Sequence, residues 1–287
     1  MDRALQEGLL SPPALAVLGL CIGSFLNVVI HRLPLMLERG WKLDSAEMLG
    51  LDPAKLPAIG APVSLSKPRS RCPSCGHAIA WHENIPLVGY LRLGGKCSAC
   101  KSRISPRYPI VEFATALLFA AIGWRIGAQP AALMWCGFAA VLIALTGIDW
   151  DTTLLPDDLT LPLLWAGLVA AALGWTLPLA QALWGAVAGY LSLWSVYWAF
   201  KLATGKEGMG HGDFKLLAAL GAWLGVQMIL PVVLGASVLG ALVGIAMKAR
   251  GALREGRYVP FGPFLAGSGL IVMLAGSARV LDWLGWA

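Results

Sequence analysis

The sequence predicts an all-α polytopic membrane protein with about eight transmembrane helices and one large hydrophilic insert after the first of them. Three observations predict it. Charged residues make up only 13% of the 287 and hydrophobic ones 57%, whereas a soluble domain carries roughly 25% charged residues. Apolar runs close to the 20 or so residues that a spanning helix needs recur along the chain. The positive charge is divided unevenly among the segments that join those runs. A mean hydropathy of +0.70 agrees with this reading, and the 13 Trp suit rings placed at membrane–water boundaries.

The runs lie near residues 12–31, 109–126, 131–149, 159–177, 180–203, 214–227, 228–248 and 261–281. The sixth is short, and reads either as a broken helix or as part of the seventh. With eight spans the hydrophilic segments alternate sides, and one side collects 19 of the 22 Lys and Arg. Twelve fall in residues 32–108; Lys201, Lys206, Lys215, Lys248, Arg250, Arg254 and Arg257 supply the rest. Only Arg3, Arg125 and Arg279 fall on the other side. The positive-inside bias makes the rich side cytoplasmic and the N-terminus periplasmic. The formal charge of +6 is thereby a topology signal, and no nucleic-acid partner is expected. A leader with Asp2, Arg3 and Glu7 lacks the basic n-region of a cleaved signal peptide, so span 1 is expected to be retained. Three parts follow: residues 1–31 as the first transmembrane helix, 32–108 as a cytoplasmic domain, and 109–287 as a seven-span bundle. No internal repeat or low-complexity tract is evident.

Within the insert, Cys72-Pro-Ser-Cys75 and Cys97-Ser-Ala-Cys100 form a doubled C-x2-C pattern. Each pair offers two thiolates from one tight turn, and two such knuckles close a tetrahedral Zn2+ site. With four protein ligands the zinc has no open position, so it is structural. Two disulfides are the alternative, disfavoured in a reducing cytoplasm. Cys21 and Cys136 lie in spans 1 and 3 and read as buried small hydrophobes.

Ionisable residues inside membrane proteins point to function by default. Asp149 ends span 3 and Asp213 opens span 6, in Gly-Met-Gly-His-Gly-Asp-Phe-Lys, both on the cytoplasmic side. Two carboxylates brought together share one proton, leaving a base to activate water and an acid to protonate a leaving group. Gly208, Gly210 and Gly212 allow close backbone approach. Two other readings stand beside catalysis. Asp213 suits the first turn of a helix by dipole alone, and a proton-coupled transporter would use the same pair. Asp151, Asp157 and Asp158 read as interfacial or helix-start residues.

Gly-His-Gly-Asp at 210–213 fits the Gly-x-Gly-Asp signature of the prepilin and preflagellin peptidases and presenilin. Further stretches match one branch: Gly-Ser-Phe-Leu-Asn-Val-Val-Ile-His-Arg-Leu-Pro (23–34), the doubled C-x2-C, Ser-Arg-Ile-Ser-Pro-Arg-Tyr-Pro-Ile-Val-Glu (102–112) and Ile-Asp-x5-Leu-Pro-Asp-x-Leu-Thr-Leu-Pro (148–162). Through most of its length the chain resembles the bacterial type IV prepilin leader peptidases. The resemblance implies an inner-membrane aspartic protease that cleaves the basic leader of type IV prepilins and type II secretion pseudopilins, after a Gly and usually before a Phe. It maps the catalytic pair onto Asp149 and Asp213. It also implies N-methylation of the new terminus with S-adenosylmethionine, since the insert and its cysteines are present.

For the methyl donor no Gly-rich Rossmann loop is visible in residues 32–108. Gly94 and Gly95 are candidates by close approach, or form a turn of the zinc knuckle. Asn27, His31 and Arg32, at the cytoplasmic end of span 1, read as helix-end polar groups, as contacts to the insert, or as part of the donor site. Glu112 is expected to pair with a basic residue of the insert. Lys215 reads as a snorkelling cation or a neighbour that tunes Asp213, and His211 as a variable position.

Overall fold

The computed structural model describes residues 3–52, 62–251 and 259–286, and all its regular elements are helices, with two isolated β-bridges. Lys55, Arg254 and Arg257, counted above in the charge asymmetry, lie outside the described residues. The chain forms two compact units, residues 1–123 and 124–287. This division departs from the expected one: the second apolar run belongs with the first helix, not with the later spans.

The first unit begins with a short helix α1 (Arg3–Leu9) and a long one, α2 (Pro12–Met48). Span 1 was expected to end at residue 31, yet α2 continues unbroken through Pro34 for 37 residues, about 56 Å of helix. The hydrocarbon core is only about 30 Å thick, so the later turns of α2 form the first part of the insert. A single turn at Trp81–Glu83 and the helix α3 (Val88–Arg92) follow, then α4 (Arg107–Ile126). Along α2, Gly19, Gly23 and Asn27 recur every four residues and stack on one face. A Cβ at Gly19 would lie 2.7 Å from the Cα of Ala116, and one at Gly23 would lie 2.7 Å from the Cα of Glu112. Small residues at this spacing let two helix backbones meet where lipid supplies no hydrophobic drive between helices. One turn further on, Asn27 donates from Nδ2 to the carbonyls of Gly23 (3.2 Å) and Tyr108 (3.1 Å).

The second unit contains α5 (Ala131–Thr152), α6 (Asp157–Ala172), α7 (Leu179–Thr204), α8 (His211–Leu224), α9 (Ile229–Ala249), α10 (Gly262–Ala275) and α11 (Ser277–Leu284). Its centre is α8, buried from Leu216 to Trp223 on every side. An apolar helix of 14 residues, about 21 Å, is too short to span and suits a core position. The sixth span is therefore a buried core helix. Gly185 of α7 and Gly221 of α8 touch backbone to backbone, and a Cβ at Gly189 would lie 2.5 Å from the Leu217 carbonyl. Near the far end of α8 the Trp223 indole donates to the Leu163 carbonyl at 2.8 Å and packs against Trp135 and Phe138.

By length and composition, five helices among the described residues suffice to cross a membrane: α2, α4, α5, α7 and α9 with the turn before it. The expected eighth span is instead α10 and α11, which meet at Gly276 with a 102° bend. Gly276 has φ +89 and ψ 143, a conformation essentially confined to glycine. α6, with 16 residues, falls short of the expected 159–177.

Candidate functional site

After Asp149 the chain turns sharply. Thr153, in the left-handed region at φ 55, caps α5, and its N–H returns to the Asp149 carbonyl at 2.8 Å. The turn delivers Leu155, which is buried. A Cβ at Gly212 would meet the Leu155 side chain at 2.7 Å, and one at Gly262 would meet it at 3.1 Å. The starts of α8 and α10 thus close on the end of α5. At that junction Asp149 is 4% exposed and Asp213 7% exposed, within electrostatic reach of each other. Asp149 Oδ2 lies 2.5 Å from where a Gly262 Cβ would stand, and has no hydrogen-bond partner among the described residues.

Asp213 sits in the first turn of α8, whose N-cap is Gly210, and its side chain is buried. Before it the loop 205–210 is held on α7. Lys201 donates to Glu207 (2.9 Å) and to the Tyr197 hydroxyl (3.1 Å), and that hydroxyl donates to Glu207 (3.2 Å). The Lys201 ammonium holds the Glu207 carboxyl below its ordinary range. His211, read from the sequence as variable, packs against Tyr197 and Phe214 at 5.1 and 5.4 Å between ring centres. Lys215 points away from the pair and grips both oxygens of Asp157 at 2.7 Å, joining α8 to α6. Leu155 and Gly262 escaped the sequence reading. Their only signals were Leu-Pro before Asp157 and the glycine of Pro-Phe-Gly-Pro-Phe (260–264).

In the insert, all four cysteine sulfurs of Cys72, Cys75, Cys97 and Cys100 lie within 4.8 Å of one another. Cys72–Cys100 is 3.8 Å and Cys75–Cys97 is 4.0 Å. A tetrahedral Zn2+ with Zn–S of about 2.3 Å requires sulfurs about 3.8 Å apart, so the four thiols fit such a cation. They are free thiols, not disulfides. The Ser102 hydroxyl, then the N–H groups of Cys75 and Ser74, hold the Cys72 thiol down at about 6, and Ser102 also lowers Cys100. The neighbouring sulfurs, Cys100 first, instead push Cys75 up to about 12, so that in the metal-free cluster Cys72 and Cys100 are the thiolates and Cys75 keeps its proton. The two knuckles share one design. Cys72 N–H bonds to the His77 carbonyl (2.9 Å) and Cys97 N–H to the Ser102 carbonyl (2.8 Å). Each is closed by a β-bridge, Arg71 with Ala78 and Lys96 with Arg103. The left-handed turn residue is Gly76 in one and Lys101, at φ 61, in the other. His77 links them, reaching Glu83 (3.3 Å) and Ser98 (3.2 Å), while the Ser98 hydroxyl and the Ala80 N–H hold Glu83 down at about 2.

The methyl-donor candidates are all engaged in structure. Gly94 and Gly95 have φ of 59 and 68 and form the turn into Cys97. Asn27 joins α2 to the start of α4, as above. Arg32 donates to the carbonyls of Ser64 (2.9 Å) and Pro68 (2.8 Å), securing the loop before the first knuckle. No transfer step is derived from them. Glu112 is buried, but its partner is the Leu87 N–H at 2.8 Å rather than a basic side chain. Cys136 is buried as expected, whereas Cys21 faces outward from α2.

Two family models match this chain. The bacterial peptidase A24 N-terminal domain covers residues 17–126, and the type IV leader peptidase family covers residues 136–245. The chain belongs to the type IV leader peptidase family. It is 52% identical over 94% of its length to a prepilin leader peptidase/N-methyltransferase of Pseudomonas aeruginosa, 92% of which is covered. A protein of the same name from Stutzerimonas stutzeri is 52% identical over 94% of this chain and 93% of its own. One from Aeromonas salmonicida is 51% identical over 91% and 89%. No solved structure matches the chain. The boundary between the two leader-peptidase family models, between residues 126 and 136, lies close to the division between the compact units.

Proposed function

We propose that this chain is a prepilin leader peptidase and N-methyltransferase of the bacterial inner membrane, with Asp149 and Asp213 as its catalytic pair. The observation that carries the proposal is the meeting of two buried carboxylates from α5 and α8 at one end of the bundle, one with an unpartnered oxygen. Such a pair performs peptide hydrolysis as follows. One carboxylate takes a proton from water as the oxygen attacks the scissile carbonyl, and the other carboxyl supplies a proton as the C–N bond breaks. The tight seams at Gly212, Gly262 and Leu155 limit bulk water there and strengthen electrostatic interactions. A prepilin leader lies just before an apolar helix, so scission belongs at the membrane face; the charge asymmetry assigns it to the cytoplasmic one, with the N-terminus periplasmic. The substrates are type IV prepilins and type II secretion pseudopilins.

The insert within residues 32–108 is assigned to methyl transfer from S-adenosylmethionine, following the names of the relatives. Cys72, Cys75, Cys97 and Cys100 would hold zinc, which when bound supplies rigidity and no catalysis. The transporter reading has no support in the family or its relatives. The decisive experiment incubates the purified protein with a prepilin in detergent. Wild type cleaves it; Asp149→Asn and Asp213→Asn each lose about 10²–10⁴-fold of the rate. Full cleavage by either folded variant removes that residue from the pair. Labelled S-adenosylmethionine that leaves no label on the cleaved product removes the second activity.

A further inference from the structure

At the end of the second unit away from the aspartates, a cavity of about 410 Å³ opens between α5, α7, α8 and the bend that joins α10 to α11. Asp149 and the cavity residue Trp135 are 14 positions apart on α5, about 21 Å along the helix, so the two sites are separate. No carboxylate lines the cavity, and Arg125 supplies its one cation. The Arg125 side chain, solvent-exposed at the cavity's open edge, packs against Gly276, the N-cap of α11, and among the described residues it makes no ion pair or hydrogen bond. Near it are the carboxamides of Gln181 and Gln227 and the hydroxyl of Ser277 in the first turn of α11. The Thr176 hydroxyl, which also lines the cavity, is buried with no partner among the described residues. A free guanidinium, a helix N-terminus and several uncharged donors around an acid-free cavity suit a phosphate group. The neighbourhood also has the marks of a bilayer interface. α11 turns 102° from α10 and leaves Trp283 and Trp286 exposed, and Trp175 stands exposed at the cavity's edge.

We propose that this cavity binds a phosphate-bearing headgroup, with Arg125 as its principal contact and Thr176 as a second. Lipid phosphate and free phosphate share this chemistry, and the test separates them. The full-length protein, stripped of lipid in detergent, is titrated with dihexanoyl-phosphatidylglycerol, with dihexanoylglycerol, which lacks the phosphate, and with inorganic phosphate, all read by native mass spectrometry. The phosphatidylglycerol should bind one per chain and dihexanoylglycerol should not. Arg125→Gln should weaken binding about 10- to 100-fold, Arg125→Lys less, and Thr176→Val about fivefold. Arg279→Gln, outside the cavity lining, should leave it unchanged. If inorganic phosphate displaces the phosphatidylglycerol at equal concentration, the occupant is free phosphate; if it does not, the occupant is lipid. Equal binding of the phosphate-free glyceride, no binding at all, or undiminished binding by folded Arg125→Gln and Thr176→Val overturns the proposal. Should Arg125→Gln fail to fold, Thr176→Val decides alone.

Discussion

In the insert, Cys72 and Cys75 share one turn and Cys97 and Cys100 another, and each turn is pinned by hydrogen bonds to residues no more than five positions away. In the bundle, Asp149 and Asp213 stand on α5 and α8, with α6 and α7 between them in the chain. The insert has little apolar core: among its described residues beyond α2, Cys72 and Cys97 are buried together with glycines. The bundle is packed at backbone distance, with Gly185 against Gly221 and Gly262 against Asp149. A site built from local turns needs a ligand to hold its pieces together. A site built at a helix junction needs tight packing, and gains its dryness from the same contacts.

The bundle is most vulnerable at its backbone seam. Gly221→Val places a side chain into the Gly185 carbonyl. We expect a loss of about 3 kcal/mol or more and no prepilin cleavage, with the metal content of the insert unchanged; a native melting temperature would refute the seam. The converse experiment strips the metal with a chelator, or replaces Cys97 by Ser. Structural zinc contributes about 10–16 kcal/mol to small zinc-finger peptides, so trypsin should then cut the insert at Arg71, Lys96 or Arg103 while α5–α10 stay protected. Equal resistance with and without metal would show that the insert holds itself. A subtler change, Gly262→Ala, should leave the fold intact and cut the cleavage rate about tenfold, by pressing on Asp149 Oδ2; KM should change little. The smallest effect is expected at Lys215→Gln. Its ion pair with Asp157 is partly exposed, and such pairs contribute about 0–1 kcal/mol, so cleavage should stay within about threefold. A larger loss would mean that Lys215 acts on the pair itself.

Much of this was legible in the residues. Thiolate spacing is set within two turns, so the doubled C-x2-C announced a cluster of four sulfurs close enough to hold a metal. Hydropathy located every long helix, because each must shed its polar groups to enter lipid. Five or six helices among the described residues are long and apolar enough to cross, fewer than the eight apolar runs, since such a run looks alike whether lipid or protein surrounds it: α8 is apolar because other helices enclose it. The end of α2 was misplaced for a related reason, as a helix need not stop where its apolar stretch does. Glu112 and Arg32 were recognised as polar groups at helix ends, yet their partners are backbone atoms of distant turns, which side-chain identity does not encode.

By itself, then, the sequence determined an all-helical membrane protein and its four-thiol cluster, and singled out the two aspartates now proposed as the catalytic pair, because these depend on composition and short motifs. Only the tertiary structure decided that α5, α8 and α10 meet at one end, that Gly262 and Leu155 shape the junction, and that Arg125, with no ion pair among the described residues, lines a cavity at the other. Those facts depend on which helix faces pack together, and that choice is made by shape across the whole bundle.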